Sequence, residues 1–191
     1  MTHDQQAFST IIDFATGQAV PDIGAEANRQ AVERYLVTEK GFDKKDIEVD
    51  ADISLTIAGE PYRSQVDLVV SVEGTRFMAI KCAAGSLGSR EREVIAAARL
   101  VDAFQIPLAV VSDGKTAIVI DTLSGKKLGE GLDAIPSKET AREKIKTLTP
   151  QALPDRRREK EQLIFRSYDM MNVNVTRHRA GTNGPAALGE E

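Results

Sequence analysis

A mixed α/β layer fold with one central sheet is the expectation, and three features of the chain carry it. Residues 47–82 hold three consecutive segments of alternating apolar and polar residues separated by tight turns, the pattern of half-buried strands. Stripes of helical period flank them at residues 22–40 and 90–101. A short apolar run, Leu108 to Val111, suits a strand buried on both faces. With 191 residues the chain is long enough for one domain that buries roughly two thirds of its unfolded surface without a disulfide or metal staple.

Taken in order, Phe8, Ile11, Ile12 and Phe14 have helical spacing and predict a first small helix packed on the body. Asp22 is placed to cap a stronger helix with the stripe Ala27, Ala31, Tyr35, flanked by Val32 and Leu36 and closed by Gly41. Ile47 to Ile57 alternates as a strand, and residues 58–61 turn the chain. The next strand puts Val66, Leu68, Val70 and Val72 on one face, with Asp67, Val69 and Ser71 on the other. After the turn at 73–75, Phe77, Ala79 and Lys81 share one face, and Met78, Ile80 and Cys82 the other. These three strands read as an antiparallel meander.

Residues 83–89 form a small, glycine-containing loop, and Ser89 is the expected cap of a helix with Glu91, Val94, Ala98 and Val101 on one stripe. Leu108–Val111 and Thr116–Asp121 make a strand pair around the Asp113-Gly114 hairpin signal, and Ser124-Gly125 turns the chain again. Ser137 caps a short charged helix, Lys138 to Thr147. Beyond Pro150 and Pro154 a last helix carries Leu163, Ile164, Phe165, Tyr168 and Met171, and residues after Thr176 show no periodicity. The expected organisation is an α/β domain at 1–150, a basic helix packed on it at 151–175, and a flexible tail at 176–191.

Composition removes several chemistries. One cysteine, Cys82, excludes a disulfide framework and Cys-Cys zinc patterns, and it reads as a small core residue. The two histidines, His3 and His178, lie near the ends, so the body lacks the residue needed for Ser-His-Asp, Cys-His or His-rich zinc sites. No run approaches the roughly 18–20 apolar residues of a membrane span, and the N-terminus has no signal-peptide pattern. The expected setting is a reducing cytoplasm. Net charge is −4, yet residues 136–180 hold 11 basic against 6 acidic side chains, a local footprint for an anion such as nucleic acid.

The chemistry-bearing feature is the strand pair around Asp67 and Lys81. A carboxylate and an ammonium inside apolar runs cost several kcal/mol unless paired or metal-bound. Neighbouring antiparallel strands can bring them together, and a helix glutamate can complete the group. Carboxylates in such an array suit Mg²⁺, and the lysine can position a water for phosphodiester hydrolysis. The loop Gly85-Ser86-Leu87-Gly88 lacks the lysine and hydroxyl signature of a P-loop, although it could still meet a backbone phosphate.

The segments AEANRQAVERYLVTEKGF, YRSQVDLVV, FMAIKCA, SREREVIAAARLV and IPLAVVSDGKTAIVIDTLSG, in that order, resemble the N-terminal nuclease domain of type I restriction enzyme R subunits, over roughly residues 20–135. That domain belongs to the PD-(D/E)XK nuclease superfamily. The resemblance implies a restriction-endonuclease-like mixed central sheet flanked by helices, with extra C-terminal helices. It also implies roles for Glu26 ahead of Arg29-Gln30, for Asp67, and for Lys81 as the lysine of an acid-x-Lys motif. The departure is Ala79, which stands where the motif has its acid.

Two expectations follow from Ala79. Either the acid has migrated to Glu91 or Glu93 in the first turn of the next helix, so that Asp67, Glu26 and one of these hold Mg²⁺ while Lys81 orients water, or the domain is a catalytically degenerate binding or scaffolding module. In the active version Arg90, Arg92, Arg156, Arg157 and Arg158 contact the phosphates of a nucleic acid, DNA being the expected one, and binding is strongly salt-dependent. The sequence shows no helicase segment, so the expectation is that it cuts DNA alone or with a separately encoded partner. An apolar patch of Phe165, Tyr168, Met170 and Met171 alternatively suggests a homo-oligomer.

Overall fold

The computed structural model describes residues 9–171. A six-stranded sheet forms the centre: β3 (Ile47–Ile57), β4 (Glu60–Val72), β5 (Thr75–Cys82), β6 (Leu108–Ser112), β7 (Ala117–Asp121) and β8 (Lys127–Glu130), adjacent in that order. All neighbours are antiparallel except β5 and β6, which run parallel because α2 (Glu91–Leu100) carries the chain over the sheet between them. The meander expected at 47–82 is present. The short edge strand β8, too polar to show a period, was not legible in the sequence.

Helices cover both faces. On one, α2 and α4 (Asp155–Met171) pack with Val69, Ala79, Ala109, Val111 and Ile118. On the other, Val32 and Leu36 of α1 (Glu26–Thr38) and Ala141 of α3 (Lys138–Thr147) pack with Val70, Met78, Ile80, Leu108 and Val110. The central strands are therefore buried on both sides, as the run at 108–111 implied. Among the described residues no helix is long and apolar enough to cross a membrane.

Where the first small helix was expected there is instead a hairpin, β1 (Thr10–Ile12) with β2 (Ala19–Pro21). Asp13 is the reason. Its carboxylate accepts from both the backbone N–H and the hydroxyl of Thr16, and Gly17 at φ 74° completes the turn, so local side-chain bonds outcompete a helix. Phe8 lies outside the described residues, as do the expected tail and the last residues of the expected 151–175 helix.

The α1 stripe also differs. Ala27 is exposed, the N-cap is Ala25 rather than Asp22, and the buried face contains Glu26, Arg29, Gln30 and Glu33 beside Val32 and Leu36. Charged residues on a buried helix face are invisible to an apolar period. Ser137 does cap α3, accepting from the Thr140 N–H, whereas Ser89 caps nothing: its hydroxyl donates to the Ser86 carbonyl, and the N-cap of α2 is Arg90.

Strand alternation breaks at two places. Ile47 pairs across to Val70 and faces α1, yet Ala51, Ile53, Leu55 and Ile57 pack on the α2 side. The switch falls at Asp50, which adopts φ 53°, and its sheet neighbour β4 switches with it, since Val66 joins the α2 side while Leu68, Val70 and Val72 do not. In β5 a register shift against β4 at Val70/Ser71 places Phe77 with Met78 and Ile80 rather than with Ala79. At Gly114, φ 82° and a close approach coincide, because an added Cβ would lie 2.6 Å from the Cβ of Ala31. That turn docks β6 and β7 against α1.

The mostly polar α4 is fastened by charge. Arg99 of α2 lies 2.7 Å from Glu161, both buried, and also donates to the carbonyls of Thr122 and Leu123. Removing one partner leaves the other buried and unpaired. Glu161→Ala should cost about 3–5 kcal/mol in urea denaturation, and Glu161→Gln, which keeps an acceptor, clearly less.

Candidate active site at the divergence of two strands

Strands β4 and β5 pair only as far as Leu68 with Ile80. Beyond that point β4 continues with β3 alone, and the Asp67 side chain takes over the ladder: its Oδ2 accepts the Cys82 N–H at 2.7 Å. A carboxylate bonded to a backbone N–H at a strand junction has little freedom. Its Oδ1 accepts from Lys81 Nζ at 3.3 Å. The same ammonium lies 3.4 Å from Glu93 Oε1, and Glu93 Oε2 is 3.1 Å from Arg90.

Exposure is graded across this group. The side chains of Asp67 and Lys81 are 17% and 21% accessible, whereas Glu93 is 4% accessible. The cluster therefore opens to solvent beside Asp67 and Lys81, with Glu93 forming its inner wall. Burial alone would pull the Lys81 pKa down, but the charges of Asp67 and Glu93 prevail and hold it above the ordinary lysine value. Lys81 is consequently a permanent cation at neutral pH, suited to donate and to attract negative charge and unsuited to accept a proton. Burial pushes the neighbouring Cys82 thiol well up, so this cysteine is an inert core residue.

Of the two acids in the first turn of α2, Glu93 is the one brought to Lys81. Glu91 does not lie on the core stripe with Val94 and Ala98; its carboxylate is 3.9 Å from Lys127 of β8. Ala79 is fully buried between Val69 and Ala109, within the apolar layer that α2 covers. The small residue lets the helix sit close, and the helix returns a carboxylate two positions further along β5.

Glu26 belongs to a second cluster on the α1 side of the sheet. Its carboxylate meets Arg29 at 2.5 Å and accepts from Gln30. Arg29 also pairs with Asp13 at 2.7 Å and Glu33 at 2.8 Å, all buried, and Gln30 and Glu33 accept the N–H groups of Phe14 and Ala15. Three carboxylates around one guanidinium hold the β1–β2 hairpin on α1. Asp13 stays below its ordinary value despite burial because of its Thr16 bonds and Arg29, while burial raises Glu33 to about 7, opposed by Arg29 and reinforced by Asp13.

The expected phosphate-binding arginines are dispersed. Arg90 faces Glu93, and Arg92 lies 3.8 Å from Glu161. Arg156, Arg157 and Arg158 occupy the first turn of α4, where Arg157 is near enough to help burial depress Arg99. Arg99 is six residues beyond Glu93, roughly 9 Å along the α2 axis. The i, i+3 spacing of Arg90 and Glu93 was the available signal for their pairing; nothing in the sequence signalled the Arg99–Glu161 lock.

Among the described residues no three of His, Cys, Asp and Glu form a ready-made metal cluster. Asp67 and Glu93 nevertheless supply two carboxylates that converge on one cation, and Mg²⁺ is commonly held by one or two carboxylates with waters and substrate phosphates completing its shell. The two carboxylates are of the donor type that ion takes, and the Lys81 ammonium holds the position between them.

Two measurements check this geometry. Ala79→Glu would restore the motif on paper but place a charge in the dry layer under α2, and it should lower stability by about 3 kcal/mol or more in thermal unfolding at pH 7. Glu33 holds its proton more tightly folded, near 7, than at its ordinary 4.5. Its contribution to stability is thus complete below about 4.5 and lost as pH rises towards 7, and Glu33→Gln should flatten that slope, by roughly 1–3 kcal/mol across the window.

A sequence model of the family described as type I restriction enzyme R protein N terminus (HSDR_N) matches residues 24–136, from the start of α1 to the turn before α3. No curated protein and no solved structure matches the chain. The matched span contains β3 to β8, both carboxylates of the Lys81 group, and Glu26. The chain belongs to the family of type I restriction enzyme R protein N termini.

Proposed function

We propose that this domain is a Mg²⁺-dependent nuclease module acting on DNA, with Asp67 and Glu93 as the metal-holding acids and Lys81 as the charged donor at the scissile phosphate. The observation that carries this reading is one ammonium shared by two carboxylates, one of them on α2 in place of the acid absent at Ala79. Membership in a restriction-enzyme family supports DNA as substrate and a separately encoded protein as partner.

Each residue has a distinct task. Asp67, fixed by the Cys82 N–H, presents one oxygen at the solvent-facing side. Glu93 presents the second from the inner wall. When bound there, a divalent ion supplies Lewis-acid charge to a phosphoryl oxygen and acidifies a water. With an ion held by Asp67 and Glu93, Lys81 would stay protonated and would donate to a phosphate oxygen or orient the attacking water. The water would lose a proton to bulk solvent and form the new P–O bond as the bond to the leaving sugar oxygen breaks, and that oxygen would take a proton from solvent. Arg92, Arg156 and Arg157 are exposed on α2 and α4, which supports them as candidates for contacts to flanking phosphates.

A second reading has its own support. Lys81, Arg90 and the Cys82 N–H already engage the oxygens of Asp67 and Glu93, so the cluster is balanced without an ion. A catalytically degenerate DNA- or protein-binding domain would keep this arrangement for stability alone.

Cleavage of supercoiled plasmid with Mg²⁺ separates the two. Lys81→Ala, Asp67→Asn and Glu93→Gln should each lower the rate about 10²–10³-fold, and Glu91→Gln should leave it within about twofold. Calorimetry should find Mn²⁺ bound more tightly by Lys81→Met than by the wild type, because the competing ammonium is gone. Equal cleavage by wild type and Lys81→Ala, or none by either with no Mn²⁺ binding, would leave the degenerate reading standing.

A further inference from the structure

We propose that Arg90 is a positioning residue of this site, acting through Glu93 and not as a contact to a nucleic-acid phosphate; as a statement about the reaction, this rests on the nuclease reading above. The two oxygens of Glu93 are divided between two cations: Oε1 lies 3.4 Å from Lys81 and Oε2 lies 3.1 Å from Arg90. The carboxylate is almost wholly buried, so the direction in which it is held decides which oxygen reaches Lys81. Arg90 holds Oε2 and leaves Oε1 towards the ammonium.

Helix stability does not account for an arginine at this position. Arg90 is the N-cap of α2, it makes no side-chain cap, and a cation at a helix N-terminus opposes the helix dipole. The described contact of its guanidinium is the pair with Glu93. The Arg90 side chain is 30% accessible, and its Nη1 lies on the buried Glu93 carboxylate. A planar fork fixes a carboxylate's orientation better than a point charge, so lysine at 90 keeps the charge but not the full alignment.

The test uses the intact chain labelled with ¹³C-lysine, the Lys81 side-chain signal being assigned by its loss in Lys81→Arg. Arg90→Gln should move that signal in the same direction as Glu93→Gln does, and Arg90→Lys should bring it part of the way back. In DNA cleavage, Arg90→Gln should lower kcat about tenfold with DNA Kd within twofold and an unchanged salt slope. It should add nothing further to Glu93→Gln, because the two act as one unit. An unmoved Lys81 signal in a folded Arg90→Gln would overturn the proposal. So would a salt slope reduced by about 0.9, the mark of one lost phosphate contact. The lysine signal needs no turnover: a wild type that never cuts DNA but shows the shifts removes the nuclease reading and leaves the Arg90–Glu93–Lys81 coupling in place.

Discussion

The bond from the Cys82 N–H to Asp67 Oδ2 marks where β4 leaves β5, and the geometry of the cluster depends on that parting. Two paired strands would continue their ladder and bury whatever faced the helices. By ending the pairing at Leu68 and Ile80, the sheet exposes one carboxylate and one lysine at a notch in an otherwise dry layer. The left-handed residue Asp50, opposite this point on β3, turns the distal half of the β3–β4 hairpin onto α2 and α4. Asp67 can substitute for a backbone carbonyl only because the turn of direction occurs at its own position. The site and the bend in the sheet are thus one feature.

That a carboxylate reaches Lys81 from α2 rather than from β5 follows from packing. Ala79 sits between Val69 and Ala109 where an ion would have no solvent, and its small side chain allows the close seating of a helix whose buried residues include Ala96, Ala97 and Ala98. The helix then carries Glu93 to Lys81 from above. Two buried charge clusters hold the surrounding elements, Arg29 with Asp13, Glu26 and Glu33 on one face and Arg99 with Glu161 on the other. Both tie chain segments outside the family-matched span, the β1–β2 hairpin and α4, onto elements inside it.

Much of the scaffold was legible because it obeys simple periods. The meander, the doubly buried strand at 108–111, the Asp113-Gly114 turn and the Ser137 cap follow from apolar patterning, glycine conformation and hydrogen-bonding side chains. What was hidden involves polar residues in buried places. Glu26, Arg29, Gln30 and Glu33 break the α1 stripe because they pair with one another and with the hairpin, so an apolar period selected Ala27 instead. The first hairpin looked helical because three or four apolar residues at that spacing fit either structure, and the bonds of Asp13 decided between them. Asp67 and Lys81 were visible as charges within apolar runs. Choosing Glu93 over Glu91 was beyond the sequence: the two lie about 200° apart around α2, and the unbroken apolar run Val94 to Ala98 does not say which of them faces β5.

At the centre of this account is the claim that Glu93 has taken the place of the acid missing at Ala79. Anomalous scattering from crystals soaked in Mn²⁺ tests it most directly. The account predicts a metal peak bonded to both Asp67 and Glu93, with the Lys81 ammonium moved out from between them. A peak held by Asp67 and Glu26 with Glu93 still on Lys81, or no peak at the notch at all, would contradict it.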